Sequence, residues 1–196
     1  GIGVLRGGHI GPEEIAPGDQ ILLSGDIGRH GIAVLGEREG LSFETPVLSD
    51  SAPLAGSVLD LISAGISLHC LRDLTRGGLG GALAELSRSA RLDFRIVEEC
   101  IPVMDQVRGA CELFGLDPLH VANEGRFVLF IPENDTQRAL EILKKRPQGA
   151  LAVKIGEVPK SESARPGAFS GVYLKTTIGT SRRVDMLSGE QLPRIC

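Results

Sequence analysis

Arg126-Phe-Val-Leu-Phe-Ile-Pro132 places five consecutive apolar residues between a cation and a proline. The run has strand length and no alternation, so neither of its faces is suited to water; it reads as a central strand buried on both sides. Asp19-Gln-Ile-Leu-Leu-Ser24 is a shorter strand of the same kind. Gly25-Asp-Ile-Gly-Arg-His-Gly31 then reads as a turn opening a helix to about Glu39, which Gly40 ends.

After an extended approach through Val47-Leu-Ser-Asp50, Leu54, Val58, Leu61, Ile62 and Gly65 mark one face of a second helix. Ile66 to Leu71 alternates like a strand, and Leu79, Ala82, Leu83, Leu86 and Ala90 give the next helical stripe. Leu92 to Val97 reads as a strand, and Val103, Val107, Ala110, Cys111 and Phe114 as an amphipathic helix with Cys111 in the core. Asn134 or Asp135 is placed to cap a helix running to about Arg146, where Pro147 stops it. Ala152 to Val158 is a strand, Lys160 to Pro166 a polar loop, and Val172–Thr176 with Arg182–Met186 a hairpin around Ile178-Gly179. Strands and helices mix throughout, which predicts an α/β sandwich of helices layered on a mixed sheet.

The 196 residues suffice for a substantial core. With 21 basic against 25 acidic side chains, a net charge of -4 and seven aromatic residues, no nucleic-acid or anionic-membrane surface is expected. No apolar run approaches a bilayer span, and Gly1–Gly11 has no signal-peptide core. The missing initiator Met points to a chain that starts mid-protein, with residues 1–18 as lead-in or linker, 19–187 as the domain and 188–196 as a flexible tail. Cys70, Cys100, Cys111 and Cys196 form no CxxC pair, so no zinc site is expected, and a reduced cytoplasmic state is the simplest reading.

Glycine supplies 26 residues, nearly twice the usual share of about 7%. Several lie in Asp73-Leu-Thr-Arg-Gly-Gly-Leu-Gly-Gly81, between a predicted strand and helix, where free N–H groups favour an anion. Here Asp73 faces a metal or ribose, Thr75 caps or donates, and Arg76 neutralises phosphate; the alternative is a tight turn whose glycines permit close packing. Glu124, in Asn123-Glu124-Gly125-Arg126, sits at a strand mouth, as a reacting carboxylate or a solvated loop acid. Asp50 carries the same ambiguity, with helix capping as its structural role. His9, His30, His69 and His120 have no partner at fixed spacing, and His30 stands out only for lying at a helix start. The tail Gln191-Leu-Pro-Arg-Ile-Cys196 ends on a thiol with an ordinary value near 8.5, able to accept a group and move between sites, with Arg194 placed to stabilise the thiolate.

Taken together, Pro193-Arg-Ile-Cys196, Asp73-Leu-Thr-Arg-Gly-Gly78, Ala122-Asn-Glu-Gly125 and Gly28-Arg-His-Gly31 resemble the HypE family, the carbamoyl dehydratases of nickel–iron hydrogenase maturation. The resemblance covers the whole chain. The Asp73–Gly78 element is also similar to the wider superfamily of AIR synthetase, selenophosphate synthetase and thiamine monophosphate kinase. The resemblance implies a three-layer α/β/α C-terminal domain of AIR synthetase type with partial ferredoxin-like topology.

It further implies that Cys196 receives a carbamoyl group from the carbamoyltransferase HypF and that ATP drives its dehydration to an S-cyanate, the source of the iron-bound cyanide. Glu124 is then the base, Asn123 orients the carboxamide, Arg194 guides the tail, and Asp73, Thr75, Arg76, Gly77 and Gly78 lie near phosphate. ATP and Mg2+ are held mostly by an N-terminal domain that this chain lacks. The fragment is therefore expected to fold alone, mainly as a monomer, and to bind ATP weakly or not at all, whereas the full-length protein is a homodimer that also meets the HypC–HypD complex. Two rival classes stay open: a small-molecule ATP-dependent synthetase or kinase, which needs no terminal cysteine, and a noncatalytic module that docks the maturation partners.

Overall fold

The computed structural model describes residues 8–40, 46–160 and 170–186. Seven strands, β1 (Gln20–Leu23), β2 (Cys70–Asp73), β3 (Phe94–Val97), β4 (Phe127–Ile131), β5 (Val153–Glu157), β6 (Val172–Lys175) and β7 (Ser181–Val184), form one sheet in the order β2-β4-β1-β5-β3-β6-β7. The helices are α1 (Arg29–Glu39), α2 (Ala55–Ser63), α3 (Gly78–Ala90), α4 (Asp105–Phe114) and α5 (Thr136–Lys144). The sheet is mixed: β3 and β6 pair parallel and every other pairing is antiparallel.

β4 is buried at every position, as its unbroken apolar run requires. Phe127, Leu129 and Ile131 join Leu22 of β1, Leu61 of α2, and Ala139 and Leu143 of α5 on one face. Val128 and Phe130 join Ile21 and Leu23 of β1, and Leu79, Leu83 and Leu86 of α3, on the other. The strict alternation of β1 and β4 between two cores makes the three-layer α/β/α arrangement. A third cluster, with Ile32 and Leu35 of α1 and Val107, Ala110 and Cys111 of α4, closes around Val121.

The ferredoxin-like component is explicit. β1-α2-β2-β4-α5-β5 is a βαββαβ unit whose strands lie in the order β5-β1-β4-β2, with α2 and α5 together on one face. α3, β3 and α4 are inserted between β2 and β4, and β3, β6 and β7 extend the sheet past β5.

Two expectations need correction. The alternating stretch Ile66–Leu71 becomes a strand only from Cys70: Ile66 and Leu68 are buried against the α2–α5 layer, so their alternation reflects burial before ladder pairing begins. Asp135 stands at the start of α5 but makes no cap bond there; its Oδ2 accepts from Ser67 N at 2.8 Å. The hairpin β6–β7 forms as read. The polar loop of 160–166 lies outside the described residues except for Lys160, which forms an exposed ion pair with Glu133. Residues 11–18 pack on the domain through Gly11 N to His69 O and the buried Ile15.

Phe130 is fully buried, with its ring 4.9 Å from that of Phe94. Phe130→Ala is expected to cost about 3–5 kcal/mol, read as a lower urea midpoint at unchanged slope.

Candidate functional site

Three segments that are remote in sequence meet at one place. Gly28–Gly31 opens α1, Asp73–Gly78 joins β2 to α3, and Ala122–Gly125 leads into β4. The last of these lies between the other two. Its Asn123 is completely buried; Oδ1 accepts from Gly28 N at 2.7 Å, while Nδ2 donates to the carbonyls of Leu74 at 3.2 Å and Val121 at 3.0 Å. Asn123 N also donates to Leu74 O, Leu74 N to Arg126 O, and Gly31 N to Ala122 O. One amide side chain thus ties all three motifs, with both of its N–H donors and its oxygen bonded to backbone.

An ionic network supports this junction. Arg126, 3% exposed, donates through Nη2 to Asp26 Oδ1 at 2.5 Å, through Nε to Asp26 O and through Nη1 to Gly125 O. Asp26, also 3% exposed, takes a further bond from Arg29 Nε on Oδ2 at 2.6 Å. Burial pushes the Asp26 carboxyl up, but the hydrogen bonds and charges of Arg29 and Arg126 outweigh it and hold the group below the ordinary carboxylate value. Neither Asp26 nor Arg126 stood out in the sequence. The available signal was a cation flanking the most apolar strand, because a buried charge requires a partner.

Asp50, 4% exposed, is a capping residue, but of α1 rather than of the α2 that follows it. Its Oδ1 accepts from His30 N at 3.1 Å and its Oδ2 from Gly125 N at 3.0 Å. Ser49 Oγ contacts His30 Nδ1 at 2.9 Å. Gly125 is sterically compelled, since a Cβ there would lie 1.9 Å from Asp50 O. The start of α1 is consequently filled by protein acceptors and is closed to an external anion.

The start of α3 differs. Gly78, at φ +60°, is pressed against the carbonyls of Leu119 and Val121, each 2.6 Å from where its Cβ would stand. Close packing therefore accounts for this glycine. Asp73, Arg76 and Gly77 are exposed and Thr75 is half-buried, its hydroxyl donating to Asp73 Oδ2 at 2.6 Å. His120 packs against Gly80 in the same turn, and burial pushes it below the ordinary imidazole value despite Asp117 and a bond with the Gly77 backbone.

Glu124 is the only residue from 121 to 126 that is not buried. It stands on a loop held by hydrogen bonds of Asn123, Gly125 and Arg126. Of the cysteines, Cys70 and Cys111 are pushed up to about 11 by burial, which removes both as thiolate nucleophiles. Cys100 is exposed. Cys196 and Arg194 lie outside the described residues. His69 pairs with Asp19 at 2.7 Å, away from the three motifs, and no metal-binding group of His, Cys, Asp or Glu occurs among the described residues. No helix among them is long and apolar enough to cross a membrane.

Asp26→Asn is expected to leave Arg126 buried without its counter-charge and to cost about 3–5 kcal/mol. Because the folded Asp26 titrates below its unfolded value near 4, its stabilisation is present above about pH 4 and is lost as pH falls through the lower folded value. Denaturant titrations between pH 6 and about pH 2 should show this acid-dependent part of the slope in the natural chain and its absence in Asp26→Asn.

The chain is similar to known proteins along its whole length. The family model for the C-terminal domain of AIR synthase related proteins matches residues 16–166. The carbamoyl dehydratase HypE of Azotobacter vinelandii is 48% identical over 197 residues, covering 100% of this chain and 56% of that protein. The crystal structure of the hydrogenase maturation protein HypE in complex with ATP superposes with a TM-score of 0.89 at 39% identity, over 95% of this chain and 55% of that one. The HypE of a HypE–HypF complex gives 0.83 at 41% identity, over 93% and 57%. The chain thus spans about half the length of the relatives it matches. It belongs to the AIR synthase related protein family as its C-terminal domain, and its resemblance to the HypE proteins extends over its full length.

Proposed function

We propose that this chain is the C-terminal part of an ATP-dependent carbamoyl dehydratase of hydrogenase maturation. The observation that carries the reading is the convergence of the Gly28–Gly31, Asp73–Gly78 and Ala122–Gly125 motifs on one loop from which Glu124 alone emerges, in a chain 48% identical to a carbamoyl dehydratase.

In this reading Cys196 carries the substrate as an S-carboxamide, S–C(=O)–NH2. The carboxamide oxygen takes the γ-phosphoryl group of ATP, with cleavage of the bond to ADP. Loss of phosphate then breaks the C–O bond while both N–H protons leave, one to Glu124 and one to solvent, giving S–C≡N, ADP and inorganic phosphate. Phosphorylation is needed because an amide oxygen is a poor leaving group. Glu124 takes a nitrogen proton as base. Asn123 contributes by holding the loop, since its amide is already committed to Gly28, Leu74 and Val121. Arg194 guides the tail.

The exposed side of the α3 turn fits a phosphate group. Gly77 and the first turn of α3 supply N–H groups, and Arg76 supplies charge. Asp73 with Thr75 offers the oxygen ligands that Mg2+ favours. The metal would neutralise phosphate charge there. Most nucleotide contacts are assigned to the part of the protein outside this chain. Residues 1–18 are then its lead-in, of which 11–18 already pack on the domain, with 19–187 the domain and 188–196 the reactive tail, in a cytoplasmic protein that is a homodimer at full length and a monomer as this fragment. HypF supplies the carbamoyl group, HypC–HypD receives the cyanide, and neither nucleic acid nor membrane takes part.

Mass spectrometry of the full-length protein with the carbamoyltransferase, carbamoyl phosphate and ATP tests this. The expected result is a gain of one carbamoyl group on Cys196 followed by an ATP-dependent loss of one water. An unmodified Cys196 beside a demonstrably active carbamoyltransferase would instead favour the small-molecule synthetase class.

A further inference from the structure

The segment Ser49–Ala52 holds the Glu124 loop through backbone contacts of Asp50 and Ala52. Asp50 joins α1 to that loop with both carboxylate oxygens, through His30 N at 3.1 Å on one and Gly125 N at 3.0 Å on the other. Longer contacts of 3.5 Å run from Glu124 N to Asp50 Oδ1 and from Ala52 N to Glu124 O. The peptide groups on both sides of Glu124 therefore face one short segment. Gly125 permits the approach, because any Cβ would meet Asp50 O.

We propose that Asp50 is the positioning residue for Glu124: its carboxylate sets the backbone from which the Glu124 side chain reaches the carboxamide. The proposal rests on the reading of Glu124 as base and deepens it. A carboxylate suits this place because it only accepts, and every group facing it from α1 and the loop is an N–H. Asparagine has nearly the same shape but offers one acceptor and one donor. Its NH2 group would face either the His30 or the Gly125 N–H, forcing the two apart. Misplacement of a reacting group by about an ångström costs on the order of a hundredfold in rate.

The test uses full-length protein already carbamoylated on Cys196, with dehydration followed in single turnovers. Asp50→Asn should slow conversion about 10- to 100-fold, leave the ATP concentration for half-maximal rate unchanged, and speed amide exchange at Glu124 and Gly125. Because Asp50 acts through Glu124, Asp50→Asn combined with Glu124→Gln should be no slower than Glu124→Gln alone. Asp135→Asn, which alters a similar carboxylate acceptor of a backbone N–H, that of Ser67, serves as the structural control and should leave conversion unchanged.

Ser49→Ala removes contacts to His30 and Ser51 at an exposed position. It should give a smaller loss of the same kind and keeps the question answerable if Asp50→Asn does not fold. Conversion at the natural rate in Asp50→Asn while Glu124→Gln is blocked would overturn the positioning role alone, as would multiplicative losses in the double variant. Natural-rate conversion by Glu124→Gln would overturn both assignments.

Discussion

A cation sits at the entrance to the most apolar strand, and the site depends on how that charge is held. Arg126 is almost wholly shut off from water, so it takes Asp26 as counter-ion and donates two further bonds to the carbonyls of Asp26 and Gly125. Those bonds define the path of the chain just before α1 and just before β4. Breaking such a pair exposes the full desolvation cost of the orphaned ion, so the arrangement admits little slack. Arg29 extends the same network into the first turn of α1.

Neutral and acidic side chains complete the junction. Among the described residues Asn123 bonds to backbone groups of the other two motifs and of Val121, whereas Asp50 accepts from backbone N–H groups of α1 and the loop. Between them one carboxylate, Glu124, is left with access to solvent. The α1 terminus is consumed by these contacts, but the α3 terminus keeps its exposed edge at Asp73, Arg76 and Gly77. In the proposed reaction Glu124 would act as base while the open α3 terminus would meet the departing phosphate. Burial raises Cys70 and Cys111 out of the reactive range, so neither serves as the thiol that the proposed reaction needs.

The layers were legible in the sequence because burial leaves a periodic trace. The run Phe127–Ile131 announced a strand covered on both faces, and the stripe Leu79–Ala90 announced α3. The same trace misled at Ile66–Leu68, where residues alternate toward a core without joining the ladder. The site was legible only as separate motifs. Arg126 lies 100 residues from Asp26, and Gly125 lies 75 from Asp50, so no local spacing records either contact. Asp50 accordingly read as a reacting carboxylate or a helix cap with no helix specified, and tertiary structure places it on the start of α1. The packing role of Gly78 and the structural commitment of Asn123 likewise depend on what the fold brings against them.

The fate of the carboxamide oxygen tests the central claim most directly. Full-length protein carrying a carbamoyl group with a heavy-oxygen label on Cys196 would be given ATP for one turnover, and the inorganic phosphate and water analysed by mass spectrometry. The account predicts the label in inorganic phosphate, in equal amount to the thiocyanate formed. Label released as water with phosphate unlabelled would contradict it, because the oxygen would then have left without being phosphorylated.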